Sequence, residues 1–175
     1  MGSLESFQID LKGLKQETKV LEYNLDDSFF GALDVSEVKG GSLHASVTIR
    51  KSAGFFELLF NIDGTVRIPC DLCLDDMEQP IETENRLLAK LGEMNSEDDD
   101  TVMVSEDEGI LDLSWFIYEF VALAIPIKHV HAPGKCNPAM IHVLEEHSTD
   151  RSSDEESTKP LDPRWAALME LDLDD

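Results

Sequence analysis

Val66-Arg67-Ile68-Pro69-Cys70-Asp71-Leu72-Cys73-Leu74 sets a C-x-x-C pair between two runs in which apolar and polar residues alternate. A period of two puts successive side chains on opposite faces of a strand, so the two thiols fall at a strand-to-strand turn. Upstream, Leu43, Ala45, Val47 and Ile49 share one face of a strand, and Phe56, Leu58, Phe60 and Ile62 share one face of the next. Asp63-Gly64 reads as a tight turn leading into a third strand with Val66, Ile68 and Cys70 toward the core. Downstream, Ile81 opens a strand whose inward set runs through Leu87, Ala89 and Leu91. Polar Thr83 and Asn85 fall on inward positions of that strand, which predicts a bulge or a sheet edge. The pattern is an antiparallel meander.

Toward the N-terminus, Phe7, Ile9 and Leu11 alternate with polar residues as a short strand, and Thr18 to Leu25 reads as another. Asp26-Asp27-Ser28 can cap a helical turn through Phe29, Phe30 and Leu33. Toward the C-terminus, Ser114 is placed to cap a helix from Trp115 to Ala124 that is apolar on most sides, with Trp115 and Phe120 read as core. Pro126 stops it, His129 to Pro138 is rich in turn formers, and Met140 to Glu146 suggests a short element. The fold class expected is α+β: an antiparallel sheet curved into a partly open barrel or sandwich, one or two packed helices, and a disordered acidic C-terminal tail. Residues 1–147 are expected to form one domain with an acidic loop at 93–109. An acidic disordered linker is expected at 148–160, and a short helix or binding motif at 161–175.

The 175 residues carry a net charge of -23, unevenly spread. Residues 70–109 hold two basic against fourteen acidic residues, and the last 28 hold three against nine, whereas the remainder is near balance. Lys and Arg normally supply nucleic-acid affinity by neutralising phosphates, so so few of them disfavour a large RNA-binding face. Opposite charge steers encounter, and a basic protein is the complement of this field. Glu97, Asp98, Asp99, Asp100, Glu106, Asp107 and Glu108 are the acids expected to meet it, with Arg164 and Trp165 anchoring the tail. The N-terminus has no basic-then-apolar leader and the longest apolar run is too short to span a bilayer, so a soluble cytoplasmic protein is expected.

Three cysteines, two of them in C-x-x-C, suit reduced thiols or a metal better than a disulfide framework. Cys70 and Cys73 offer half of a zinc site, and Cys136 with His131 or His129 is the only local cluster able to complete it. Structural thiols without metal are the competing reading. Asp71, Asp75 and Asp76 beside the pair predict a raised thiol pKa, which argues against thioredoxin-like chemistry. No G-x-S-x-G, phosphate-cradling loop or H-E-x-x-H is present, so no enzyme is expected.

The ordered set of Val66-x-Ile68-x-Cys70-x-x-Cys73-Leu74, an acidic stretch, the helix from Trp115 ending in Ile125-Pro126, and Asp162-Pro163-Arg164-Trp165-Ala166-Ala167-Leu168 resembles the YceD family of large ribosomal RNA subunit accumulation proteins. Relatives typically carry a second cysteine pair where this chain has His129, His131 and Cys136, so a zinc site carried over from them would be a mixed Cys/His version with Cys70, Cys73, His131 and Cys136 as ligands. The resemblance implies a part in making or accumulating large-subunit ribosomal RNA. The expected function is non-catalytic: an acidic adaptor for a basic ribosomal protein or assembly factor, linked to the RNA indirectly, with no membrane or small-molecule substrate. The alternative is a processing factor that contacts RNA through the N-terminal sheet, using Lys39, Arg50 and Lys51.

Overall fold

In the computed structural model, the described residues are 4–92 and 101–148. After a 3-10 turn at Leu4–Phe7, the elements are β1 (Gln8–Asp10), β2 (Thr18–Leu25), α1 (Asp27–Leu33), β3 (Gly40–Ser52), β4 (Phe55–Pro69), β5 (Asp76–Leu91), β6 (Thr101–Val104), β7 (Ile110–Asp112), α2 (Ser114–Ala124) and α3 (Pro138–His147). Contacts divide the chain into two units, Met1–Ile141 and His142–Asp175. Among the described residues no helix is long and apolar enough to cross a membrane.

The fold is α+β. Five strands pair in the order β2-β3-β4-β5-β6, and β1 pairs separately with β7. Neither end of the five-stranded sheet returns to the other, so it is not closed into a barrel. The first four strands are antiparallel, as the meander requires, but β6 runs parallel to β5 with Leu88 opposite Thr101 and Leu91 opposite Val104. The sheet is therefore mixed, and part of the stretch expected as an acidic loop, Thr101–Val104, is strand.

The alternation sorts the core as expected. Leu43, Ala45, Val47 and Ile49 on β3 and Phe56, Leu58, Phe60 and Ile62 on β4 are all buried, while their odd or even neighbours face outward. Phe7, Ile9 and Leu11 join this core, as do Phe29 and Phe30 of α1. From α2, Ile117 and Val121 are fully buried, and Phe120 meets Phe60 edge-on at 4.9 Å. Trp115 is not core: it is 50 % exposed, and its indole N–H donates to Glu119 Oε1 at 3.1 Å. Nor does Ser114 cap α2. Its N–H and hydroxyl both donate to Asp112 Oδ1, at 2.8 and 2.6 Å, so the carboxylate two residues earlier does that work.

Asp63-Gly64 is not a turn. β4 runs unbroken through it, with Gly64 opposite Leu43 on one side and Ile81 on the other. Gly64 has φ +139, and a Cβ there would lie 2.4 Å from Ser42 O and 2.6 Å from Leu43 Cα, so glycine serves a close strand-to-strand approach. The β3–β4 reversal is instead the two-residue loop Ala53-Gly54, with Gly54 at φ +91. On β5, the register with β4 is continuous from Asp76 to Ala89, so no bulge intervenes at Thr83 and Asn85. Asn85 Nδ2 donates to Thr83 Oγ1 at 2.9 Å, which lets two polar side chains share a half-buried position.

α1 is fastened by its first two acids. Asp26 Oδ1 accepts from the N–H groups of Ser28 (2.9 Å) and Phe29 (3.2 Å), and Asp27 accepts from Gly41 N–H (2.9 Å) and pairs with Arg67 (3.1 Å). Hydrogen bonds from Ser28 and Phe29 hold the Asp26 carboxyl below the usual 3.8, and the Arg67 guanidinium does the same for Asp27. A depressed folded pKa contributes stability above the unfolded value that is lost as pH falls through the folded one. Asp27→Asn is therefore expected to melt below the parent at pH 7 and to converge with it as pH falls through the depressed folded pKa of Asp27, measured as thermal midpoints across an acid titration.

Candidate metal centre

Pro69 at the end of β4 pairs with Asp76 at the start of β5, so Cys70 to Asp75 form the connecting knuckle. Two main-chain bonds close it: Cys70 N–H to Asp75 O at 2.8 Å and Leu74 N–H to Cys70 O at 2.9 Å. Leu74 takes the left-handed conformation, φ +62, to complete the turn. Cys70 and Cys73 are buried beneath it.

The second half arrives from after α2. Asp71 latches it in both directions: Asp71 N–H donates to His129 O at 2.9 Å, and His129 N–H donates to Asp71 Oδ2 at 2.7 Å. A turn follows, with Lys135 N–H on Ala132 O at 2.9 Å and Gly134 at φ +77, and it brings Cys136 back to the knuckle. Asn137 then donates from Nδ2 to Asp75 Oδ2 at 3.2 Å, while its Oδ1 accepts from Ala139 N–H at 3.1 Å and starts α3. Carboxylates of the knuckle thus hold the incoming segment on either side of the thiols.

Cys70, Cys73, His131 and Cys136 converge, with their donor atoms all within 4.8 Å of one another. Cys70 Sγ to Cys136 Sγ is 3.8 Å, Cys73 Sγ to His131 Nδ1 is 3.3 Å, and Cys136 Sγ to His131 Nδ1 is 3.9 Å. A tetrahedral ion with metal–sulfur bonds of about 2.3 Å and metal–nitrogen bonds of about 2.0 Å has edges of roughly 3.8 Å between sulfurs and 3.5 Å from sulfur to nitrogen. The observed spacings fit that figure, so the Cys3His cluster can hold a metal ion. The histidine is also set for it: Nε2 lies 3.3 Å from Asp76 O, and donating there leaves the Nδ1 lone pair facing the thiols.

The electrostatics follow from the backbone rather than from the neighbouring acids. Burial opposes ionisation of Cys70, but N–H groups of Cys73, His131 and Leu72 aimed at its sulfur outweigh it and lower the thiol to about 6. The rise expected from Asp71, Asp75 and Asp76 does not occur at Cys70, where the backbone N–H groups decide the direction. Burial pushes Cys136 up to about 11, helped by the neighbouring Cys70 and Cys73 sulfurs. One thiolate beside two more sulfurs resists further ionisation, and a cation between them removes that resistance.

Of the two candidate histidines, only His131 joins the cluster. The buried Nδ1 of His129 has no hydrogen-bond partner and faces Asp71 Oδ1 at 3.5 Å. The latching roles of Asp71 and Asp75 were missed in the sequence, where both acids read only as local charge. Glu106, Asp107 and Glu108 lie exposed in the turn between β6 and β7, closed by Gly109 N–H on Ser105 O at 2.8 Å. Glu97, Asp98, Asp99, Asp100, Arg164 and Trp165, with the linker 148–160 beyond its first residue and the segment 161–175, lie outside the described residues.

The three cations considered for RNA contact are engaged within the fold. Lys39 pairs with Asp76, Arg50 lies 3.8 Å from Glu57, and Lys51 donates to Leu14 O at 3.4 Å with its ammonium 5.9 Å from the Phe56 ring centre.

A family model described as large ribosomal RNA subunit accumulation protein YceD matches residues 58–172, a span that contains all four donors of the cluster. No curated protein and no solved structure matches the chain.

Proposed function

We propose that this chain, which belongs to the YceD family of large ribosomal RNA subunit accumulation proteins, supports that accumulation as a non-catalytic acidic adaptor in the cytoplasm. Its client is a basic large-subunit ribosomal protein or assembly factor, and zinc in the Cys3His cluster fixes the scaffold that presents the acids. Zinc suits three thiolates and one imidazole in a closed, tetrahedral set. Its part is structural: no open coordination position remains for a substrate once four protein donors bind.

One observation carries the adaptor reading. The candidate RNA-binding cations are consumed in contacts within the fold, whereas Glu106 to Glu108 and the outward acids of β5 remain on the surface of a chain with net charge -23. A surface of that kind repels phosphate and attracts Lys- and Arg-rich proteins, in the manner of the RNA such proteins ordinarily coat.

The test is a titration of the purified chain against basic large-subunit ribosomal proteins and against large-subunit ribosomal RNA, at about 50 and 200 mM salt. Binding is expected to the proteins, weakening as salt rises, with RNA at least tenfold weaker. Tight RNA binding with a steep salt slope would favour the direct RNA-contacting alternative.

A further inference from the structure

β5 has sixteen residues, but among the described residues its far side is paired only at Leu88–Leu91, where β6 lies alongside. From Met77 to Leu87, no other strand takes up that side among the described residues, and no main-chain hydrogen bond outside the ladder with β4 involves these positions. Pro80 shows which groups face outward. Proline has no N–H to give a ladder and is tolerated in a sheet where its nitrogen faces an open edge. Its carbonyl accepts from the Gln79 side chain at 3.1 Å. Residues two apart share an orientation, so Glu78, Glu82 and Glu84 turn their main-chain groups to the open side with Pro80.

Those same residues carry exposed carboxylates on the outer face of the sheet, at alternate positions along the edge. Arg86, next in the row, is taken by Glu57 at 2.6 Å, so the row reads as acid. At Arg86 the edge runs into a cleft of about 470 Å³ whose wall is Leu87, Leu88, Val102, Phe116 and Phe120, with Arg86 and Glu119 as its charged members.

We infer that the open edge of β5 from Glu78 to Arg86 is a strand-addition site for an extended basic segment of the client, with Lys or Arg at alternate positions. This deepens the adaptor reading and rests on it. Main-chain pairing supplies affinity, and directly opposed side chains supply selection. A second copy of the same edge is the wrong occupant, because pairing would set glutamates against glutamates. A client strand would set cations against Glu78, Glu82 and Glu84, and an apolar residue at its end would enter the cleft.

The experiment uses the full metal-loaded chain and a synthetic ten-residue peptide of alternating lysine and valine. A control peptide of the same composition is N-methylated at every second residue, which keeps the charge and abolishes pairing. The unmodified peptide is expected to bind at least tenfold more tightly and to slow amide exchange at Glu78, Glu82 and Glu84. Glu82→Lys with Glu84→Lys should lose at least tenfold for it and gain binding to an alternating glutamate–valine peptide, with metal content unchanged as the check on folding. Equal binding of the two lysine peptides, protection confined to Ser105–Gly109, or edge protection that grows with protein concentration alone would overturn the inference. If the parent holds basic ribosomal proteins and the double variant holds them equally well, the edge is refuted and the adaptor stands; if the parent holds none, both fall.

Discussion

Stripping the metal from this protein, or replacing Cys136 by Ser, is expected to lower its melting temperature by roughly 10 °C or more while leaving the β-sheet signal at room temperature. The four donors join the β4–β5 knuckle to a segment 58 to 66 residues later, which is otherwise held there by the latches at Asp71 and Asp75 and the His131 contact with Asp76 O. Without an ion, Cys136 stays a neutral thiol, pushed up to about 11 by burial and the neighbouring sulfurs, and the bonds that an ion would make between the knuckle and that segment are missing. Protein prepared without chelator should hold about one equivalent of zinc, and Cys70→Ser and Cys136→Ser should each lose it. Since thiols must shed protons to bind, loading weakens as pH falls. Metal-free parent protein with an unchanged melt would end the zinc assignment and leave the cluster as packed thiols.

The second large effect is at Gly64. Gly64→Ala is expected to cost about 3 kcal/mol or more, read as a fall of roughly 10 °C in the melt. An alanine there gains about 1 kcal/mol at most by restricting the unfolded chain. Against that stand a backbone at φ +139 and a methyl group 2.4 Å from Ser42 O, in a middle strand that cannot retreat from either neighbour. Gly54, also at positive φ, has open space around it, so Gly54→Ala isolates the backbone penalty from the clash. Equal melts for the two variants would show that the close approach between β3 and β4 costs nothing to relieve.

Gly64 also shows where the sequence misleads. Asp-Gly is common chemistry for a tight turn, yet Phe56, Leu58, Phe60 and Ile62 keep the same parity as Val66, Ile68 and Cys70. A two-residue turn reverses the chain, whereas unbroken parity across the fifteen positions from Phe56 to Cys70 is what a single long strand produces, and that clue was present. The direction of β6 had no such clue, since four residues at Thr101–Val104 alternate alike whether parallel or antiparallel. Core faces on β3, β4 and α1 were legible because burial there follows directly from side-chain period.

At the site, the donor types were legible and their arrangement was not. C-x-x-C at a strand end, with one downstream group of Cys and His, names the residues. The choice of His131 over His129 depends on Asp71 seizing the backbone at 129, which turns that ring aside and leaves the next-but-one facing Cys73. No local pattern encodes a contact across 58 residues. Asp71, Asp75 and Asp76 were readable only as charges, and each proves to be a fastener.

The separation of the donor pairs sets an order of events during translation. Cys70 and Cys73 are polymerised about sixty residues before His131 and Cys136, an interval of several seconds at ordinary elongation rates of roughly 5–20 residues per second. β2 through β5 exist in the nascent polypeptide before the ion can find its last two ligands. On the zinc assignment proposed above, the ion would enter as a late seal, and cells starved of zinc should accumulate chains with an assembled sheet and an unfastened segment from about residue 127 to 137, detectable as early protease cleavage there. Cleavage spread evenly through β3 and β4 instead would mean that the ion is needed earlier, while the sheet is still forming.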